Sequence, residues 1–218
     1  MASFAIIYNE DIVLYDFGRG HPFRGQRFID YMSILKEKGL LKDPLVKIIG
    51  SEKANYSDLL LVHSKEYIDD VAVRAQTSTP LTKDTSLNPA IVKGAQAIVG
   101  SSLKAAELVA DGVVKLAEGI GGGLHHAGKT YGGGFCVYND VAIYAQALLE
   151  RHRLERVLIF DTDVHAGNGT MDIFYENPKV LFISVHQDPR TLYPGKGFID
   201  DIAEARARRA SYMDARDA

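Results

Sequence analysis

The sequence predicts an α/β domain with a mainly parallel central sheet flanked by helices, and three observations carry that prediction. Short apolar runs alternate with longer helix-period stretches, the pattern of repeated strand–helix–strand units. Polar clusters fall directly after predicted strands, where open α/β sheets place their sites. The 218 residues, 46% hydrophobic and 24% charged, are enough to bury one core of ordinary globular composition.

Taken in order, Phe4–Tyr8 reads as the first strand and Val46–Ile49 as the second. Between them Arg24–Lys38 reads as a helix that ends at Gly39, a residue suited to the left-handed position past a helix end. Ser64 is placed to cap a helix running to Gln76. Asn88-Pro89 opens the longest helix with a capping side chain followed by a proline at the first helical position, and Gly112 closes it. Val113–Ala117 is the third strand. A helix from about Val137 to Arg153 leads into the strand Arg156–Phe160, and a short helix near Thr170–Tyr175 precedes the strand Val180–Val185. From Ala203 to Ala218 the pattern stops: ten of sixteen residues are Ala or Arg and no apolar strand appears.

Charge and composition narrow the function classes. A net charge of −3 gives no basic face for nucleic acid. Cys136 stands alone, which excludes an internal disulfide and a multi-cysteine zinc site and fits a reducing compartment. No apolar stretch approaches a membrane span, and Met1–Glu10 lacks the basic start of a signal peptide. A cytoplasmic location is the resulting expectation; oligomeric state is unreadable.

The chemistry concentrates in three clusters. In Asp161-Thr162-Asp163-Val164-His165, residues two apart in an extended segment point the same way, so Asp163 and His165 can converge on one point. A carboxylate oxygen and a neutral imidazole nitrogen are both good zinc ligands. His125-His126 lies in a glycine-rich loop, and adjacent imidazoles resist double protonation, so one stays neutral near pH 7 and is available as a base. Tyr131-Gly132-Gly133-Gly134-Phe135-Cys136 and the later Tyr193-Pro194-Gly195-Lys196-Gly197 suit a narrow slot with exposed carbonyls and aromatic walls. Cys136 itself reads as a small buried hydrophobe, with no base tied to it.

These segments, in this order, resemble the histone deacetylase family and its relatives in acetoin utilisation and acetylpolyamine hydrolysis. The matching pieces are Gly20-His21-Pro22-Phe23-Arg24-Gly25-Gln26-Arg27, Leu59 to Tyr67, Gly122-Gly123-Leu124-His125-His126-Ala127, Gly134 to Asp140, Asp161 to Thr170, and Tyr193 to Gly197. The resemblance implies an arginase/deacetylase-like three-layer fold and zinc-dependent hydrolysis of an acetamide, on acetylated lysine or an acetylated polyamine. It implies Zn²⁺ on Asp163 and His165, and His125 and His126 as the acid/base pair, oriented by Asp161 and Asn168. Asn168 stands where some members carry Asp; an amide supports a neutral imidazole, which favours His126 as general base. The resemblance also implies a slot at Gly134, Phe135 and Tyr193, an acetate cavity at Arg27, and a potassium ion near Asp161, Asp163, His165 and Ser184.

The same resemblance exposes gaps. A third zinc ligand, an Asp on a later strand, and a later oxyanion-stabilising Tyr have no matching segment. The expectation is a partial catalytic domain over residues 1–202, incomplete at its C-terminus, with an atypical tail over 203–218 and weak or no activity. Two rivals stand beside it. A dinuclear manganese ureohydrolase would need a further carboxylate after His165, where the sequence offers Gly167. A non-catalytic module binding acylated amines would keep the pocket without turnover.

Overall fold

The structure is a computed structural model and describes residues 3–199 and 201. Five strands form two parallel groups. β1 (Phe4–Ile7) lies between β2 (Val46–Ile49) and β3 (Leu116–Gly119), while β4 (Val157–Asp161) pairs with β5 (Val180–Ser184). The helices are α1 (Gln26–Glu37), α2 (Tyr56–Leu59), α3 (Lys65–Gln76), α4 (Pro89–Ala110), α5 (Asp140–Glu150) and α6 (Asn168–Phe174). The Ala/Arg-rich tail expected over 203–218 lies outside the described residues.

Every strand is parallel because each connection carries at least one helix back across the sheet. β1 is central and buried on both faces. Ala5 and Ile7 join Ala105 and Leu108 of α4 in one apolar cluster, and Ile6 belongs to the main core with Phe28 and Leu35 of α1. That is the three-layer arrangement expected. β4 differs: Val157 and Ile159 are buried, whereas the intervening Leu158 and Phe160 are 60% and 61% exposed.

Local signals place most helix ends. Asn88 accepts from the Ile91 amide with Pro89 next to it, and Ser64 accepts from the Tyr67 amide. Gly39 and Gly112 both take the left-handed conformation past their helices (φ +73° and +70°).

The starts of two elements move furthest from their expected places. The third strand was expected over Val113–Ala117 and forms over Leu116–Gly119. The amides of Val113 and Val114 both bond Leu108 O at the end of α4, and pairing with β1 begins only at Leu116. The helix expected from Val137 begins at Asp140. The backbone of Val137 is held by buried hydroxyls, with Tyr67 Oη donating to its carbonyl and its amide donating to Tyr15 Oη, and Asn139 serves as the cap.

Candidate active site

The carboxyl ends of β3 and β4 meet at a cavity of about 850 Å³ lined by His125, His126, Gly134, Phe135, Asp163 and His165, with Tyr193 and Arg27 also on its wall. This is the position an open α/β sheet offers a ligand.

The histidine loop follows β3 and is shaped by a carboxylate that the sequence reading passed over. Asp140 is fully buried at the start of α5, where it accepts from Ser102 Oγ and from the amides of Gly123 and Leu124. Burial raises its pKa, while these donors pull the other way. Its only sequence signal was its place in the Gly134-to-Asp140 segment.

His125 and His126 are both buried, with their Nε2 atoms 3.2 Å apart. His125 Nδ1 lies 2.7 Å from Asp161 Oδ2, and His126 Nδ1 lies 2.7 Å from Asn168 Oδ1. A carboxylate only accepts, so His125 Nδ1 carries a proton. Burial first, then the neighbouring His125, lowers the pKa of His126 to about 4, against the opposing bond from Asn168. His126 is therefore neutral at pH 7.

Asp163 and His165 sit across from this pair, brought together past the end of β4, where the His165 amide donates to Asp163 Oδ1 instead of the segment staying extended. His165 Nδ1 is 2.9 Å from Asp163 Oδ1, and His125 Nε2 is 3.9 Å from the same oxygen. Burial would raise the Asp163 carboxyl, but the His165 amide and ring and the His125 ring bring its pKa below the usual value. Two ligands on one tetrahedral zinc, with bonds of about 2.0–2.1 Å, stand roughly 3.3 Å apart. The dyad is close to that separation and has the right donor types, so these residues fit a zinc ion. Among the described residues no group of three or more His, Cys, Asp or Glu side chains is arranged to hold a metal, so a third protein ligand is not in this set.

The slot loop is pinned from behind. Tyr15 Oη donates to the Phe135 carbonyl, Thr85 Oγ1 accepts from the Phe135 amide, and buried His63 accepts from the Asn139 amide. Phe135 is held at φ +69°, an uncommon conformation for a side-chain-bearing residue, and its ring lies 4.5 Å from that of His21. Tyr193 packs edge-on to His126, ring centres 4.9 Å apart. A Cβ on Gly134 would lie 2.5 Å from His126 Cδ2, so only glycine fits against that ring. Cys136 is buried and its thiol pushed up by that burial, as a structural thiol should be.

Two other expected residues, Arg27 and Ser184, lie around this centre. Arg27 lines the same cavity with its guanidinium 4.8 Å over the Phe23 ring. Ser184 stands opposite Asp161 in the β4–β5 ladder, and its hydroxyl bonds His186 Nδ1 at 2.8 Å. His186, also overlooked from sequence, reaches on to the Gly197 carbonyl at 2.9 Å and so ties the Tyr193 loop to β5. At the cavity mouth, Asp84 is held by the hydroxyls of Thr82 and Thr85. Gly167 has no room for a side chain: a Cβ there would lie 2.4 Å from Asp161 Oδ2 and 3.1 Å from His125 Nδ1. A bridging carboxylate at that position, as the dinuclear rival requires, would displace the His125–Asp161 pair.

The parallel α/β domain thus sets a buried, differently partnered histidine pair opposite an Asp–His dyad at the carboxyl ends of its strands. Comparison with known proteins gives the family. The histone deacetylase domain model matches residues 21–213, and the chain belongs to that family. It is 32% identical to a probable deacetylase of Archaeoglobus fulgidus, over 92% of this chain and 55% of the relative. It is 33% identical to the acetoin utilization protein AcuC of Bacillus subtilis, over 97% of this chain and 56% of the relative. The crystal structure of the HDA15 HD domain superposes with a TM-score of 0.82 at 31% identity, covering 92% of this chain and 58% of that one. The fold is thus the arginase/deacetylase-like α/β fold. The chain spans about half the length of the curated relatives it matches.

Proposed function

We propose that this chain carries the acid/base and metal-holding part of a zinc-dependent deacetylase acting on an acetylated lysine or an acetylated polyamine. One observation supports this above the rest: two buried imidazoles, one on a carboxylate and one on an amide, face each other beside the Asp163–His165 dyad.

In this reading Asp163 and His165 hold zinc together with a ligand from outside the described residues. When bound, zinc polarises the acetamide carbonyl and acidifies a water. His126 Nε2 takes the water proton, favoured by its neutral state. His126 then gives that proton to the departing amine, with His125 beside it, oriented through Nδ1 by Asp161. Phe135 and Tyr193 hold the aliphatic arm, the Gly134 carbonyl accepts from the substrate amide, and Arg27 faces the released acetate. Potassium would sit near Asp161, Asp163, His165 and Ser184. The His186 Nε2–H donates to Gly197 O, so Nδ1 accepts from Ser184 and leaves that hydroxyl's lone pairs for a cation.

The test is hydrolysis of an acetyl-lysine peptide and an acetylpolyamine panel by the purified chain, with zinc counted by atomic emission. Weak zinc-dependent acetate release lost in His126→Ala supports the reading, and robust release would overturn the expectation of weak or no activity for this chain. Tight binding of the same compounds with no turnover would favour a non-catalytic acyl-amine module, and two manganese ions per chain would favour the ureohydrolase.

A further inference from the structure

Asn168 holds His126 with an amide, and an amide can be flipped. With its oxygen toward His126 Nδ1, that nitrogen must carry the proton and Nε2 is bare. With its nitrogen toward Nδ1 the proton moves to Nε2, and the ring can no longer accept there. Nothing in Asn168 itself selects between these states.

The neighbour on its other side does. Asn168 is buried, and its Nδ2 lies 3.2 Å from Tyr131 Oη. Tyr131 has one hydroxyl proton and gives it to Asp172 Oδ2 at 2.6 Å, a carboxylate that can only accept. What Tyr131 then offers Asn168 is lone pairs, which only the amide nitrogen can meet. The oxygen is thereby turned to His126.

We propose that Tyr131, locked by Asp172, is a positioning residue that sets the tautomer of His126 through Asn168, keeping Nε2 bare, an acceptor that faces His125 Nε2 3.2 Å away. Two further contacts build the lock. Gly128 lies under the Tyr131 ring, where a Cβ would stand 2.3 Å from Cε1 and 2.5 Å from Cζ. Lys196 Nζ reaches the same Asp172 oxygen at 3.2 Å from the loop that bears Tyr193, so one carboxylate fixes both the relay and a wall of the slot. Tyr131 and Asp172 are 41 positions apart and neither is a metal-ligand candidate.

The consequence for turnover rests on His126 being the base; the tautomer is a property of the chain alone. The experiment is a long-range proton–nitrogen correlation spectrum of the histidine-labelled chain near pH 7, with His126 identified by its loss in His126→Gln. The parent chain is expected to show His126 protonated at Nδ1 and bare at Nε2. In Tyr131→Phe, and separately in Asp172→Asn, the two nitrogen shifts should draw together as both amide orientations become populated. Adding Asn168→Asp to Tyr131→Phe should return the proton to Nδ1, because a carboxylate has no donor face. A bare Nδ1 in the parent, or unchanged shifts in both Tyr131→Phe and Asp172→Asn, overturns the proposal. If the chain deacetylates, Tyr131→Phe should lower kcat about tenfold with little change in KM. Absence of turnover with the tautomer pattern intact would count against the function and not against the relay.

Discussion

His63 and His126 are both pushed to about 4, and the difference between them lies in what their nitrogens face. His63 donates from Nδ1 to the Gly128 carbonyl and accepts at Nε2 from the Asn139 amide, so both nitrogens are used inside the protein. Burial lowers its pKa, with the Gly128 and Lys129 backbone opposing. The neutral ring is what the fold accommodates, whereas the unfolded ring titrates near 6.5. His63 therefore adds nothing to acid sensitivity above that value, and stability is lost as pH falls from about 6.5 toward 4. A shift of this size corresponds to about 3 kcal/mol once complete, and roughly 2 kcal/mol between pH 7.5 and 5. His63→Gln should be less stable at pH 7.5 yet lose less on acidification, read from urea midpoints at the two pH values. Equal losses in parent and variant would remove His63 from the account. At this scale the sequence was most readable where partners are close in the chain: Asp163 and His165 were expected to converge as an extended segment, and they meet instead in a bend past β4, where the His165 amide bonds Asp163 Oδ1. Tyr131 and Asp172, 41 residues apart, left no such trace.

Helix caps separate what is local from what is tertiary. Asn88 caps α4, the chain's longest helix, and its side chain accepts one bond, from the Ile91 amide. Asn139 caps α5 from a fully buried position. It accepts from the Ala142 amide and donates to the Ala127 carbonyl and to Thr170 Oγ1, tying α5 to the histidine loop and to α6. Asn88→Ala should cost about 1 kcal/mol, the usual worth of a cap. Asn139→Ala should cost roughly 3 kcal/mol or more, because it also strands a buried carbonyl and a buried hydroxyl. Equilibrium unfolding of the two variants checks the ranking. The same distinction explains which elements were legible. The ends of α3 and α4 are written in Ser64, Asn88-Pro89 and Gly112. The starts of β3 and α5 depend on pairing with β1 and on the hydroxyls of Tyr15 and Tyr67, which no local pattern announces. The 3₁₀ turn Glu10–Leu14 went unread for the same reason: Ile12 and the following Tyr15 are fully buried, and a Cβ on Gly94 of α4 would lie 2.5 Å from the Tyr15 amide nitrogen.

Across the molecule, burial is uneven. β1 has apolar partners on both faces, while the outer face of β4 presents Leu158 and Phe160, and neither β3 nor β4 has a second strand partner among the described residues. α4 is the opposite case. Its Gly94, Ala95, Ala97, Gly100, Ser101 and Ser102 are all buried, and small side chains let other backbone come in against it. A Cβ on Gly100 would lie 2.0 Å from the Glu52 carbonyl oxygen. α4 packs on β1, β3, α3 and α5, so none of these can separate from it singly. In heavy water, then, the amides in the middle of α4 should be the last to take up deuterium, by way of opening of the entire domain. Those of β4 and β5 should label earlier, through excursions that leave α4 intact, and mass spectrometry of peptides spanning 89–110 and 157–184 reads the order directly.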